Sequence, residues 1–190
     1  KLNSNSFTVV SFRPSTVFGV SPRLRCDVVF NNLVACAYTT GKIEILSDGS
    51  PWRPVVHVKD VCQAFIAGLE APVELIGGKA FNVGIPDGNF TIQDLAEAAQ
   101  RSVPGSDLKF MNMHTDPRTY KVSFKRILNE LKDYYKPEWD LDKGAKELVG
   151  YFNKINFTEN DFRDKKCVRL AQLKYLIKSS KIDNELRNIN

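Results

Sequence analysis

Tyr38 and Lys42 stand four residues apart in the stretch YTTGK. A tyrosine hydroxyl can exchange a proton with a substrate oxygen, and a nearby ammonium favours the phenolate that this requires. Such a pair has to be held rigidly. Gly41, inside the stretch, argues against one helix carrying both residues. Two arginines point to a different chemistry. A guanidinium is planar and bidentate, and it suits a phosphate better than a lysine ammonium does. Arg53 follows the turn SDGSP at the mouth of an expected strand, and Arg118 falls in a loop between an expected strand and helix. Each reads as a phosphate clamp or as a surface ion pair. Trp52 could stack on a base, or serve the core or a lid. His57 lies inside a strand pattern and reads as a satisfied structural histidine. Arg23 and Arg25 share a loop, where they reach a ligand or anchor the loop to Asp27. Cys26, Cys36, Cys62 and Cys167 form no CxxC pair and no metal-like spacing with His57 or His114. They read as the reduced thiols of a cytoplasmic protein.

The elements that would position these residues alternate between strand and helix. TVVSF (8–12) is apolar on both faces and reads as a strand buried inside a parallel sheet. FRPSTVFG then reads as a strand running into a loop. Residues 26–40 are helix-like and end at Gly41. KIEIL (42–46) and VVHV (55–58) read as strands. Asp60 is the expected cap of the next helix, whose apolar face would hold Val61, Ala64, Phe65, Gly68 and Leu69, with Pro72 as its stop. KAFNVG (79–84) reads as a strand. Thr91 and Asp94 form a capping box before a helix that Pro104-Gly105 ends. LKFMNM (108–113) reads as a strand, SFKRILNEL (123–131) as an amphipathic helix, and a further helix covers about 142–154. Residues 158–190 read as a helical C-terminal extension, capped by Thr158, with Phe162, Leu170, Leu173 and Ile177 on its apolar face. This order argues for an α/β fold. None of the 11 glycines has GxGxxG or GxxGxxG spacing, so the strand–Gly-rich loop–helix that opens a dinucleotide site is missing.

The bulk numbers fit one domain of 190 residues, 43% apolar, with a net charge of +5. That charge suits an anionic ligand without demanding one. The basic tail reads as a solvated face. Asp161, Asp164, Asp183 and Glu185 among its cations argue against nucleic acid. No apolar run approaches the length of a membrane span. The polar opening KLNSNS, running straight into an apolar stretch, reads as a piece cut from something longer.

Four stretches carry a resemblance: SFRPSTVFGVSPRLR (11–25), FNNLVACAYTTGK (30–42), SDGSPWRPVVHVKDV (47–61) and DPRTYKVSFKRI (116–127). In this order and spacing they resemble the C-terminal half of extended short-chain dehydrogenase/reductases, the NAD-dependent nucleotide-sugar epimerases and dehydratases. KAFNVG stands where that family has a late sheet strand. The resemblance implies the C-terminal part of a doubly wound Rossmann-type sheet plus a small α/β substrate domain, with the cofactor-binding half absent from these residues. It implies substrate contacts at Thr16, Asn32, Leu33, Ile45, Leu46, Arg53, Arg118 and Tyr120. Pro14 and Ser15 would lie against the nicotinamide of NAD. Thr16 stands where relatives often have asparagine, and Asn31 beside Asn32 leaves that assignment open between the two. The family's own Tyr-x-x-x-Lys lies on a helix upstream of the strand that is TVVSF here. YTTGK is therefore expected to be a bystander, and no catalytic residue is expected in this chain. The resemblance further implies a nucleotide-sugar substrate and a homodimer for the complete enzyme. Epimerase is the favoured activity, with a 4,6-dehydratase or a non-catalytic nucleotide-sugar-binding module as alternatives.

Overall fold

A computed structural model describes residues 4, 6–113 and 118–189. Its first strand, β1 (Ser11–Pro14), is separated by Ser15 alone from β2 (Thr16–Phe18). Helix α1 (Val29–Thr40) leads into β3 (Lys42–Ile45), and β4 (Trp52–His57) runs directly into α2 (Val58–Glu70). The short α3 (Val73–Ile76) precedes β5 (Ala80–Val83), β6 (Asn89–Thr91) and α4 (Ile92–Ser102). Then come β7 (Asp107–Phe110), α5 (Lys125–Glu130), α6 (Leu141–Lys154), α7 (Glu159–Arg163) and α8 (Arg169–Lys178).

The α/β expectation holds, with parallel pairing throughout except at one edge. β1 pairs with β5, β2 with β4, and β3 with β7, all parallel; β6 pairs antiparallel with β4. The chain changes partner at Ser15, whose N–H donates to the Val83 carbonyl at 3.1 Å. Phe18, Phe30, Ile43, Leu95, Leu148 and Phe152 centre one core, between α1, α4 and α6. Val56, Phe81, Ile127, Leu131 and Tyr135 centre a second, under α2 and α5.

Several expectations need correction. The first strand covers 11–14 rather than 8–12, and it is not buried on both faces: Ser11, Arg13 and Pro14 are exposed. Among the described residues β1 has one neighbour strand, β5, so its other edge carries no ladder. FRPSTVFG is two strands rather than a strand and a loop. Asp60 does not cap α2. The cap is His57, whose Nδ1 accepts from the Lys59 N–H, because β4 reaches the helix without a linker. Asp60 is buried in the first turn instead and accepts from the N–H groups of Glu138 and Trp139 at 3.0 and 3.2 Å. Phe65 and Leu69 leave the apolar face of α2. They are exposed, as is Ile66, while Ala67 is buried. The tail is two helices rather than one, since after α7 the chain turns through 164–168.

Other local signals act as their chemistry dictates. The Thr91–Asp94 box closes in both directions, and Thr158 with Asp161 forms a second one. Gly41 ends α1 in the left-handed region at φ 69°, with open space around its α-carbon, so the backbone rather than packing requires a glycine there. Among the described residues no helix is long and apolar enough to cross a membrane.

Candidate functional site

Thr16, Asn32, Leu33, Arg53, Arg118 and Tyr120 line one open cleft of about 650 Å3. They come from four separate stretches of chain. Parallel pairing brings the start of β2 beside β4, and Arg53 stands at the mouth of β4. The segment 118–121 is fastened across that mouth. Arg53 Nη1 donates to the carbonyls of Trp52 and Arg118, the former at 2.8 Å. The Trp52 N–H donates to Thr119 Oγ1 at 3.0 Å, and the Lys121 ammonium lies 3.5 Å from the centroid of the Trp52 ring. The Arg53 guanidinium carbon is 6.0 Å from the centre of the Tyr120 ring.

The start of α1 forms the opposite wall, through Val28, Val29 and Asn32. Val28, the N-cap, has no side chain able to accept a hydrogen bond, and no acidic residue sits in the first turn. The positive end of the helix dipole is thus turned on the cleft together with two guanidinium groups, an arrangement suited to phosphate. Asp27 supplies a carboxylate at the rim. Its oxygens accept from Arg25 Nε and Nη2 at 2.9 and 3.1 Å. The Arg25 hydrogen bond holds the Asp27 carboxyl below the ordinary value, although partial burial opposes this. Anchoring to Asp27, one of the two readings of Arg25, is what the structure shows.

The two asparagines now separate. Asn31 is buried; its amide donates to the Arg25 carbonyl at 2.8 Å and its oxygen accepts from the Gly19 N–H at 3.0 Å. Asn32 lines the cleft, and its amide donates to the Cys26 carbonyl at 2.9 Å. Ile45 and Leu46 are not brought to this cleft: Ile45 is buried in the first core, and Leu46 is exposed. Pro14 is exposed at the β1–β2 junction. Next to it, the Ser15 hydroxyl oxygen is buried without a hydrogen-bond partner among the described residues. An orphaned polar atom at a strand junction fits a ligand amide. Asp27, Val28, Val29 and Ile92 also line the cleft, and the sequence reading named none of them as ligand-facing. Only the uncapped start of α1 could have signalled the first three.

Tyr38 and Lys42 lie apart from this site. Tyr38 is on α1, its hydroxyl donates to Asn153 Oδ1 at 2.9 Å, and Lys42 is the first residue of β3. His57 is fully buried, stacked on Trp139 with ring centres 4.0 Å apart. Because its Nδ1 accepts from Lys59 N–H, Nε2 carries the proton and donates to Glu147 at 2.9 Å. Glu147 also accepts from Lys59 Nζ at 2.7 Å and from the Val20 N–H at 3.3 Å. Burial disfavours the charged form of Glu147, but the donors Lys59, Val20 and His57 together outweigh it and keep its carboxyl below the ordinary value. Burial pushes the His57 pKa down against the pull of Glu147.

The same arrangement of elements occurs in proteins of known structure. It is shared with UDP-glucuronic acid 4-epimerase from Bacillus cereus, solved with UDP-glucuronic acid and NAD. The TM-score is 0.62 at 22% identity, over 79% of this chain and 46% of that one. The dTDP-glucose 4,6-dehydratase from Bacillus anthracis, solved with NAD, gives 0.60 at 21% identity, over 78% and 46%. UDP-glucose 4-epimerase from Thermotoga maritima, solved with UDP-glucose, gives 0.59 at 22% identity, over 76% and 46%. The fold is that of the nucleotide-sugar epimerases and dehydratases. Residues 2–84 match the model of the NAD dependent epimerase/dehydratase family. Three of the four resembling stretches fall inside that match, and 116–127 lies beyond it. The chain spans less than half the length of these solved relatives.

Proposed function

We propose that these residues form the substrate-binding part of an NAD-dependent nucleotide-sugar epimerase, with the diphosphate of the substrate held between Arg53, Arg118 and the start of α1. The observation that carries this reading is the convergence of Thr16, Asn32, Leu33, Arg53, Arg118 and Tyr120 on one cleft. The two guanidinium groups neutralise the diphosphate, Asn32 and Thr16 offer uncharged donors, and Tyr120 covers the ligand from the 118–121 segment. NAD, when bound, accepts a hydride from the sugar and returns it. Ser15 would bind its nicotinamide amide through the unpartnered hydroxyl oxygen. The remainder of the cofactor site and the proton-moving tyrosine belong to chain outside residues 1–190, and the complete enzyme is a homodimer. The open edge of β1 and the exposed Phe65, Ile66 and Leu69 of α2 are a surface such a half would cover.

A 4,6-dehydratase would need an acid or base devoted to elimination. Among the described residues, the one carboxylate lining the cleft, Asp27, is tied ionised to Arg25, which favours the epimerase. The test is Arg53→Ala in the full-length protein with UDP-glucose as probe. Losing a charge-assisted hydrogen bond costs about 1.5–3 kcal/mol, so KM rises about tenfold or more while kcat changes less. Arg53 also holds the Arg118 carbonyl, so Arg53→Lys serves as the control for loop position. An unchanged KM in Arg53→Ala removes Arg53 from the site, and a protein that binds UDP-glucose without turning it over is a binding module.

A further inference from the structure

Loop residues 21–27 and the start of α8 enclose a second, smaller pocket of about 260 Å3. Its wall carries Arg23, Arg25, Lys165, Lys166 and Arg169, together with Cys167 and Gln172. No carboxylate is among the described residues that line it. Asp27 is engaged through both oxygens with Arg25 and accepts the Arg169 N–H at 3.2 Å. The Lys165 ammonium sits 3.3 Å from the centre of the Tyr175 ring. The side chains of Arg23, Lys166 and Arg169 have no ion-pair partner among the described residues. Like charges gathered around one concavity repel one another, and an anion placed among them relieves that cost.

Two further features favour an anion there. α8 is a ten-residue helix whose N-cap, Val168, provides no side-chain acceptor, so its positive end adds to the five cations. The walls are also fixed to each other, since the Cys26 N–H donates to the Cys167 carbonyl at 2.9 Å and the Arg169 N–H to Asp27 Oδ2 at 3.2 Å. The pocket is not isolated. Arg23 and Arg25 also line a space with Thr16, Val28 and Asn31, and Thr16 and Val28 belong to the first cleft.

We infer that this pocket is an oxyanion-binding site for a phosphate or carboxylate group, built jointly by the 21–27 loop and the helical tail. The anion arrives in one of two ways. It is carried on the sugar of a ligand whose diphosphate lies in the first cleft, a route that rests on the function proposed above, or it is free phosphate.

The full-length protein is titrated with inorganic phosphate at constant ionic strength, beside a Lys166→Gln/Arg169→Gln variant whose exposed side chains leave the fold intact by thermal unfolding. Saturable binding, weakened at least about tenfold in the variant, is expected. Affinities for UDP-glucuronic acid and UDP-glucose are measured in parallel. A sugar-borne anion makes UDP-glucuronic acid the tighter ligand by about tenfold or more, an advantage that the variant loses while its UDP-glucose affinity stays unchanged. A free anion leaves the two sugars equal and lets phosphate bind with UDP-glucose in place. The inference is overturned if phosphate does not saturate and the ratio of the two sugar affinities is the same in both proteins. If neither nucleotide sugar binds, the nucleotide-sugar reading fails, and the phosphate titration still decides the pocket.

Discussion

Two polar clusters lie within a few residues of each other on β4, and they use their side chains in opposite ways. At the C-terminal end of β4, His57, Glu147, Lys59 and Trp139 close on one another, and both His57 ring nitrogens and both Glu147 oxygens are spent on neighbours. At the N-terminal end, Arg53, Tyr120 and Asn32, drawn from three separate stretches of chain, line an open cleft. Histidine beside glutamate is the more suggestive pair on paper. Yet buried donors and acceptors that satisfy one another are structural, whereas donors gathered from distant stretches around open space are what a ligand needs. The comparison predicts that mutations at the first end move stability, and mutations at the second move binding.

The largest effect is expected at Gly19. Its φ is 105°, and a Cβ there would collide with the His57 ring. Gly19→Ala should therefore cost about 2–5 kcal/mol, from overpacking and the left-handed backbone together. Denaturant unfolding checks it. A loss under about 0.5 kcal/mol, within the range of ordinary surface changes, would mean that His57 is not held where the closed cluster requires.

His57→Gln should cost less, about 1–3 kcal/mol, by removing the stacked ring and weakening the Glu147 bond. It also has a pH signature. The folded pKa of His57 lies below its ordinary 6.5, so the unfolded chain takes up the proton first as pH falls. The stability from this residue is complete above 6.5 and is lost as pH drops from there toward the folded pKa. The Glu147 carboxyl is also lowered, so a second loss sets in as pH falls below about 4.5. Unfolding free energies measured across this range should show both declines in the wild type and only the second in His57→Gln. An unaltered profile would leave His57 out of the linkage.

These residues also mark how far the sequence could be read. Local signals were legible: the glycine after α1, the Thr91–Asp94 box and the α/β alternation all act over a few residues. Guanidinium chemistry and the family resemblance both point to Arg53 and Arg118, and the two line one cleft. What failed depended on distant partners. Asp60 has the composition of a cap but spends its carboxylate on the N–H groups of Glu138 and Trp139, 78 and 79 residues away. Phe65 and Leu69 sit at helical spacing, but spacing cannot say whether anything covers that face. Glu147 anchors the whole His57 cluster from α6, and no pattern around it announces this.

Asn31 and Asn32 give a finer cut through the same comparison, since adjacent residues of one type face opposite environments. Asn31→Ala should destabilise by about 1–3 kcal/mol, because the Gly19 N–H loses its acceptor. Asn32→Ala should change stability by no more than about 1 kcal/mol, the worth of its amide bond to the Cys26 carbonyl, while weakening nucleotide-sugar binding. Equilibrium unfolding and UDP-glucose titration on both variants separate the two effects. If Asn31→Ala loses affinity at unchanged stability, the asparagines have been assigned in the wrong order.

The smallest effect is expected where the sequence motif is most conspicuous. Tyr38 spends its hydroxyl on Asn153 and is not among the residues lining the cleft, and Lys42 begins another element. Tyr38→Phe keeps the ring that packs on Phe152, with centroids 5.3 Å apart, and loses one exposed hydrogen bond. Its cost should be about 0.5–1 kcal/mol, a Tm shift of a few degrees at most. Turnover in the full-length protein should be unchanged. A catalytic phenol would behave differently: its removal would take away proton transfer worth about a hundredfold or more in rate. The two outcomes are far enough apart that a single activity measurement decides whether YTTGK is a working pair or a helix end that happens to carry the right letters.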